Sequence, residues 1–162
     1  MKYLLLLIGV IICIVLIIVI IGCLLPVKHT VSIELSLNAG SKEVWQRLRD
    51  IKAYPQWRNR LQSVEVQSDS SWIEVDKKSH RLPLKIVSEE PMQKLVTEIN
   101  SKDLPFGGTW VFTLRAVGGQ TIVTIRENGE VYNPVFRFVS KYIMGHTASI
   151  NQYAKDLEGS FK

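Results

Sequence analysis

The sequence predicts an α+β fold in which a curved antiparallel sheet of about seven strands surrounds a long C-terminal helix, preceded by one transmembrane helix. Three observations support this prediction. The chain begins with a long apolar segment, continues with strand-like stretches joined by short turns, and ends with apolar residues spaced every seven positions. We therefore expect residues 1–25 to form the membrane helix, 26–29 a short linker and 30–162 one folded domain.

The N-terminal apolar segment is long enough to cross a bilayer. Its 23 residues, Tyr3–Leu25, carry no charged side chain. At about 1.5 Å per residue they reach about 34 Å, whereas the hydrocarbon core of a bilayer is about 30 Å thick. A cleaved signal peptide has a shorter apolar core, so we expect the helix to be retained. The alternative is a lipoprotein, because Ile20–Cys23 resembles a bacterial lipobox, but the apolar Leu24 and Leu25 favour the uncleaved helix.

Charged residues and cysteines restrict the location and chemistry of the domain. Lys2 precedes the membrane helix, and after Lys28 no basic residue follows before Lys42. Because basic residues concentrate on the cytoplasmic side, this pattern slightly favours a domain on the outer side. Both cysteines, Cys13 and Cys23, lie in the apolar segment, which excludes disulfides and thiol chemistry from the folded domain.

The net charge of +5 gives no sign of a nucleic-acid partner, because the basic residues are scattered and no nucleic-acid motif accompanies them. We interpret these residues as solvated faces, with attraction to an anionic membrane surface as the alternative.

Strands and short helices follow the membrane segment in a regular order. Residues 30–37 alternate between apolar and polar, as a half-buried strand does. Ser41 is expected to cap a short helix, and Pro55 interrupts a second one. The two glycines in 117–120 predict a tight hairpin. Six further stretches have strand-like patterns: 63–68, 72–76, 81–90, 93–100, 108–117 and 121–131.

The C-terminal segment is predicted to form one helix of about 25 residues. Asn133 and Pro134 provide an N-cap and a first helical position, and the pattern continues to Gly159. Seven positions share one face, which should cover the sheet, and all but the histidine are apolar or aromatic: Phe136, Val139, Ile143, His146, Ile150, Tyr153 and Leu157.

Four segments together resemble the START-like superfamily, also called SRPBCC or polyketide cyclase/dehydrase and lipid transport. They are "SKEVWQRLRDIKAYPQW", "GGTWVFTL", "TIRENGEV" and "NPVFRFVSKYIMG". The resemblance covers about residues 30–160 and implies the helix-grip fold, with a deep cavity between the sheet and the C-terminal helix for hydrophobic or amphipathic molecules. A single membrane helix before such a domain is found in bacterial members, which implies a single-pass protein of the bacterial inner (cytoplasmic) membrane. The matching residues are mainly apolar, aromatic, Gly and Pro, so they carry no catalytic signature.

Two polar residues are candidates for ligand contact. His146 lies on the apolar face of the predicted helix, so its imidazole would point into or beside the cavity. The simpler alternative is a histidine held by a backbone carbonyl or by water. Glu127 has the same strand parity as Val123 and Ile125, and an inward carboxylate in an apolar cavity would have a raised pKa. The simpler alternative for Glu127 is a hydrogen-bonded carboxylate where the strand meets the helix.

Large apolar side chains are expected to complete the cavity wall, although each is also a good core residue. Those predicted to contact a ligand are Trp57, Trp110, Phe112, Ile143 and Ile150.

These patterns predict a membrane-tethered binding or carrier domain for a lipid-like small molecule. The first alternative is a cyclase- or dehydratase-type enzyme that uses His146 or Glu127 as general acid–base. The second is a ligand-free protein-interaction module at the membrane surface. We expect no metal site and no cofactor, because the three histidines lack ligand spacing and the sequence has no phosphate-binding glycine loop.

Overall fold

The computed structural model describes residues 2–145 and 147–162. The first half of the chain contains helix α1 (Lys2–Leu24), strand β1 (Lys28–Leu37), helix α2 (Ser41–Arg49), a 3-10 turn (Ile51–Ala53) and helix α3 (Tyr54–Trp57). Six strands follow: β2 (Leu61–Ser68), β3 (Ser71–Asp76), β4 (Arg81–Glu90), β5 (Lys94–Ile99), β6 (Phe106–Val117) and β7 (Gln120–Val131). The C-terminal part contains α4 (Pro134–Val139), a π-helical turn (Ser140–Met144) and α5 (Ala148–Gly159).

The seven strands form one antiparallel sheet in the order β1-β7-β6-β5-β4-β3-β2, so the first strand closes against the last. Gly118 and Gly119 connect β6 to β7 with φ of 55° and 87°. Two consecutive positive φ angles suit the two-residue hairpin that the sequence predicts. The predicted α+β architecture is therefore confirmed.

Helices α2, α3 and α5 cover the inner face of the sheet. Val44 and Leu48 of α2 and Ile150 and Leu157 of α5 are almost completely buried against the strands. Burial of a side chain of this size contributes about 1.5–3 kcal/mol, so these residues fix α2 and α5 to the sheet.

Two predicted helix starts have different outcomes. Asn133 caps α4 as expected, because its side chain accepts hydrogen bonds from the backbone N–H groups of Val135 and Phe136. The cap predicted at Ser41 is wrong by one residue. The Ser41 hydroxyl contacts the Thr121 hydroxyl instead, while the Glu43 carboxylate accepts from the N–H of Gly40, which is the N-cap.

The predicted single C-terminal helix is interrupted. Gly145 has a φ of 75°, which ends the π-helical turn, and a new helix begins at Ala148. The predicted apolar face is consequently not continuous. Ile150, Tyr153 and Leu157 are buried as expected, whereas the side chain of Ile143 is 71% exposed. His146 lies outside the described residues.

Helix α1 projects from the domain, and most of its side chains are exposed. It is long and apolar enough to cross a membrane, as the sequence predicts.

Candidate functional site

A partly open cavity lies between the inner face of the sheet and helix α5. Its volume is about 170 Å³. An engineered apolar cavity of about 150 Å³ binds benzene, so this space accommodates a group of about that size. The apolar wall consists of strand residues: Trp72, Leu82, Leu84, Ile99, Trp110 and Phe112. The polar and aromatic side chains that line the cavity include Tyr54, Arg58, Glu74, Gln152, Tyr153 and Asp156.

A shielded ion pair forms the charged part of the cavity wall. Arg58, which directly follows α3, donates from Nη1 to Oε1 of Glu74 on β3. The side chains of Arg58 and Glu74 are 18% and 6% exposed, respectively. Nε1 of Trp72 lies 3.3 Å from the same carboxylate oxygen and donates to it. Because charges this shielded are costly to leave unpaired, the pair fixes α3 against β3.

Two tyrosines surround the Arg58 guanidinium. Its central carbon lies 4.7 Å from the ring centre of Tyr153 and 5.2 Å from that of Tyr54, distances at which cation–π attraction operates. Burial opposes the charge of Arg58, but the carboxylate of Glu74 and the two tyrosines hold its pKa above the ordinary value. Burial also raises the pKa of both tyrosine hydroxyls. Arg58 is therefore a permanent cation, and both phenols stay protonated.

A second polar group ties α5 to the chain after α3. Asp156 accepts hydrogen bonds from the backbone N–H of Asn59 at 3.1 Å and from the Asn59 side-chain amide at 2.7 Å. It also accepts from Gln152 at 2.9 Å. These contacts hold Gln152 and Tyr153 in place at the cavity wall.

Glu127 lies on β7 directly opposite Trp110 of the cavity wall. Burial raises the pKa of its carboxyl group to about 7. Its Oε2 atom is buried and finds no hydrogen-bond partner among residues 2–145 and 147–162. The inward orientation predicted from strand parity fits this burial.

The raised pKa of Glu127 predicts a pH-dependent stability. The folded-state pKa lies above the unfolded value of about 4.5, so the stabilising contribution is complete below about pH 4.5 and is lost as the pH rises through about 7. Glu127→Gln, which mimics the neutral acid, should stabilise the domain at pH 8 by about 1–3 kcal/mol, a range that allows for partial solvent screening. Thermal unfolding of the two proteins at pH 5 and pH 8 measures this difference.

The gain from Glu127→Gln should be much smaller at pH 5. Glu34→Gln controls for the loss of one negative charge, because Glu34 is exposed on the neighbouring strand β1. An equal gain for Glu127→Gln at both pH values would contradict the assignment.

The structure places the other predicted site residues in different environments. Trp110 and Phe112 line the cavity. Trp57 is buried in the core beside the cavity, with its ring edge-on to that of Tyr153 and the two ring centres 5.6 Å apart. Ile150 belongs to the solid core, and the exposed Ile143 does not face the sheet. His146 lies outside the described residues, so its predicted ligand contact stays a prediction.

Sequence reasoning missed the ion pair and Tyr54, and it placed Tyr153 on the inner face without assigning it a role in the site. We interpreted Arg58 as part of a solvated basic group, which is wrong because Glu74 and two rings enclose it. A signal was present at Glu74, since it shares strand parity with the inward-facing Trp72. A carboxylate at such a position either pairs with a cation or becomes neutral, so a partner for Glu74 could have been sought.

Part of the apolar wall lies at the end of the sheet where β1 begins. Leu84 pairs with Ile99, and the preceding Glu98 pairs with Thr109, which follows Gly108 on the next strand. Gly108 pairs with Gly129, and Gly129 pairs with His29, the second residue of β1. These pairings place part of the cavity wall near the end of the sheet where β1 begins, which is the end nearest α1.

Comparison with known proteins identifies the fold. No family model matches the chain, and no curated protein does. A START superfamily protein from Mycobacterium smegmatis superposes with a TM-score of 0.67 at 17% identity, over 82% of this chain and 97% of that chain. The chain has the START-like fold.

Two further solved structures have a similar architecture. A conserved protein from Geobacillus kaustophilus has a TM-score of 0.66 at 15% identity, with 83% of this chain and 94% of that chain covered. Truncated norcoclaurine synthase from Thalictrum flavum has the same TM-score at 12% identity, with 83% and 93% covered. Matches this distant establish the START-like architecture, and function has to be argued from the cavity.

Proposed function

We propose that this START-like domain is a membrane-tethered binding or carrier domain for an amphipathic, lipid-like small molecule. The main support is the cavity of about 170 Å³, which combines an apolar wall with the Arg58–Glu74 pair. Pockets that are mostly apolar and carry a few placed polar groups typically bind small molecules. The length and composition of α1 support the tether, which would hold the domain where apolar ligands are concentrated.

The cavity size restricts the form of the ligand. A space that fits about one aromatic ring or a few methylenes does not enclose a whole two-chain lipid. The ligand would place a ring or a short chain against Trp110, Phe112 and Leu84, and its remainder would extend through the open side. A polar group on the ligand would meet Arg58 and Gln152.

Native mass spectrometry of the full chain, released from detergent micelles, tests this proposal. We expect one small molecule to remain bound per chain. Ile99→Trp should reduce the bound fraction by about tenfold or more, because the much larger indole side chain at this position fills part of the cavity. Val87→Trp adds the same ring at an exposed position of β4 and should retain the ligand.

Two outcomes would contradict the proposal. One is a bound molecule that Ile99→Trp and Val87→Trp retain equally, since it would lie outside the cavity. The other is the absence of any bound molecule from chains purified in several detergents, which would favour a ligand-free interaction module.

A second candidate function is acid–base catalysis by Glu127. Its pKa is about 7, and its buried Oε2 atom has no hydrogen-bond partner among the described residues. Both properties suit a group that accepts and returns a proton. The likeness to norcoclaurine synthase shows that an enzyme can share this architecture. Glu127→Gln should then abolish conversion of the recovered ligand while binding persists. Unchanged conversion would exclude this role.

A further inference from the structure

An exposed apolar surface lies on α4 and the π-helical turn that follows it. Within ten residues, five large side chains are 41–71% exposed: Val135, Phe136, Tyr142, Ile143 and Met144. We call these five residues the 135–144 surface. Exposed large apolar side chains grouped in this way are typical of an interaction site.

Helix α4, which carries part of the 135–144 surface, packs directly against helix α1. A Cβ atom at Gly22 would come within 2.0 Å of the carbonyl oxygen of Pro134, so the two backbones are in direct contact. Nη1 of Arg137 donates a hydrogen bond of 2.8 Å to the carbonyl oxygen of Leu25. These contacts fix the position of α4 along α1.

The contact lies at the end of the apolar segment. In α1, reduced exposure is confined to its last two turns, at Ile18, Val19, Ile21 and Gly22. The helix is about 34 Å long, slightly longer than the roughly 30 Å hydrocarbon core. When α1 spans the core, its last two turns approach the boundary between acyl chains and headgroups, and α4 lies at the same depth.

Polar groups around the 135–144 surface suit the same boundary. Lys141 lies above the Tyr142 ring, with Nζ 5.3 Å from the ring centre, and its flexible chain can extend to headgroups. Tyr132 precedes α4, and its hydroxyl donates to Glu130 at 3.0 Å. Tyrosines with one apolar side and one hydrated end are enriched at membrane interfaces.

We propose that the 135–144 surface lies in the interface of the bilayer that α1 spans, with its apolar side chains among the upper acyl chains. The inference rests on the proposed membrane tether. A lipid surface is the occupant because α4, which carries part of the 135–144 surface, packs directly against the apolar α1. Any other partner would have to displace lipid that already surrounds this helix. The docked segment would turn the β1 end of the sheet, with part of the cavity wall, toward the bilayer.

Fluorescent labelling of the full chain in pure lipid vesicles tests this docking. In a Cys13→Ser, Cys23→Ser background, Phe136→Cys and Ile143→Cys each receive an environment-sensitive nitrobenzoxadiazole label. We expect several-fold stronger quenching by lipids that carry spin labels on their acyl chains than for a label at Val117→Cys. Val117 is the matched control, since it is an exposed apolar residue at the opposite end of the sheet.

A label at native Cys13, in the Cys23→Ser chain, separates the two proposals. Cys13 lies in the middle of α1. If the Cys13 label is quenched but the labels at Phe136→Cys and Ile143→Cys are quenched no more than the one at Val117→Cys, the tether stands and the docking is overturned. If Cys13 is not quenched either, both fail. Since the vesicles contain no other protein, quenching at both surface sites supports lipid as the partner.

Discussion

Glu74→Gln is expected to destabilise the folded domain by about 3–5 kcal/mol, because it leaves the enclosed Arg58 cation without its counter-ion. The two tyrosine rings attract the guanidinium, but they do not replace a charged hydrogen-bond acceptor. For a domain of this size the midpoint of thermal unfolding should fall by on the order of 10 °C. Tryptophan fluorescence of the full chain in detergent, recorded on heating, measures this change.

Glu65→Gln provides the matched control, because Glu65 pairs with Arg81 on the surface, where both side chains are about half exposed. Loss of such a pair costs about 0–1 kcal/mol. Removing both charges with Arg58→Met and Glu74→Leu together should recover most of the lost stability, since no unpaired ion then remains. If Glu74→Gln were as mild as Glu65→Gln, Arg58 would be solvated, and our account of the cavity would be wrong.

Phe112→Ala is expected to cost about 3–5 kcal/mol and to enlarge the cavity by about one ring. Phe112 is 3% exposed, and its ring lies 5.2 Å from that of Tyr153 and 6.2 Å from that of Trp110. The free energy of unfolding in urea measures the loss. Phe106→Ala, in a half-exposed position on the same strand, should lower the free energy of unfolding much less than Phe112→Ala does.

Added benzene gives this prediction a second readout. Because a ligand that binds only the folded state stabilises it, saturating benzene should raise the unfolding midpoint of Phe112→Ala more than that of the wild-type chain. Equal shifts for the two proteins would mean that the space left by the missing ring binds no additional benzene.

The fold was predictable because its signals are local and consistent. Alternation identifies β1, the paired glycines 118–119 identify the hairpin, and Asn133 with Pro134 identifies the start of α4. The break at Gly145 was not predictable from the same rules, because glycine occurs within helices as well as at their ends. The seven-residue spacing continued through this position and indicated a single helix.

The cavity was predictable only in part. Trp110 and Phe112 could be placed from strand parity, but the pairing of Arg58 with Glu74 joins two residues in different elements of the fold. No short-range pattern reports such a contact. The exposure of Ile143 likewise depends on where the π-helical turn ends and on what covers this side chain. We propose that lipid, rather than protein, covers it.

The short connection between α1 and β1 limits how such a protein could deliver cargo. Only three residues, Leu25 to Val27, separate the two elements, and the carbonyl oxygen of Val27 accepts a hydrogen bond of 2.8 Å from the N–H of Val131. Three extended residues reach about 10 Å, so a domain whose α1 spans a bilayer could not shuttle to a distant acceptor. With α1 in the bilayer, its search is two-dimensional, and any molecule it releases must return to the same leaflet or pass to an acceptor that comes to it.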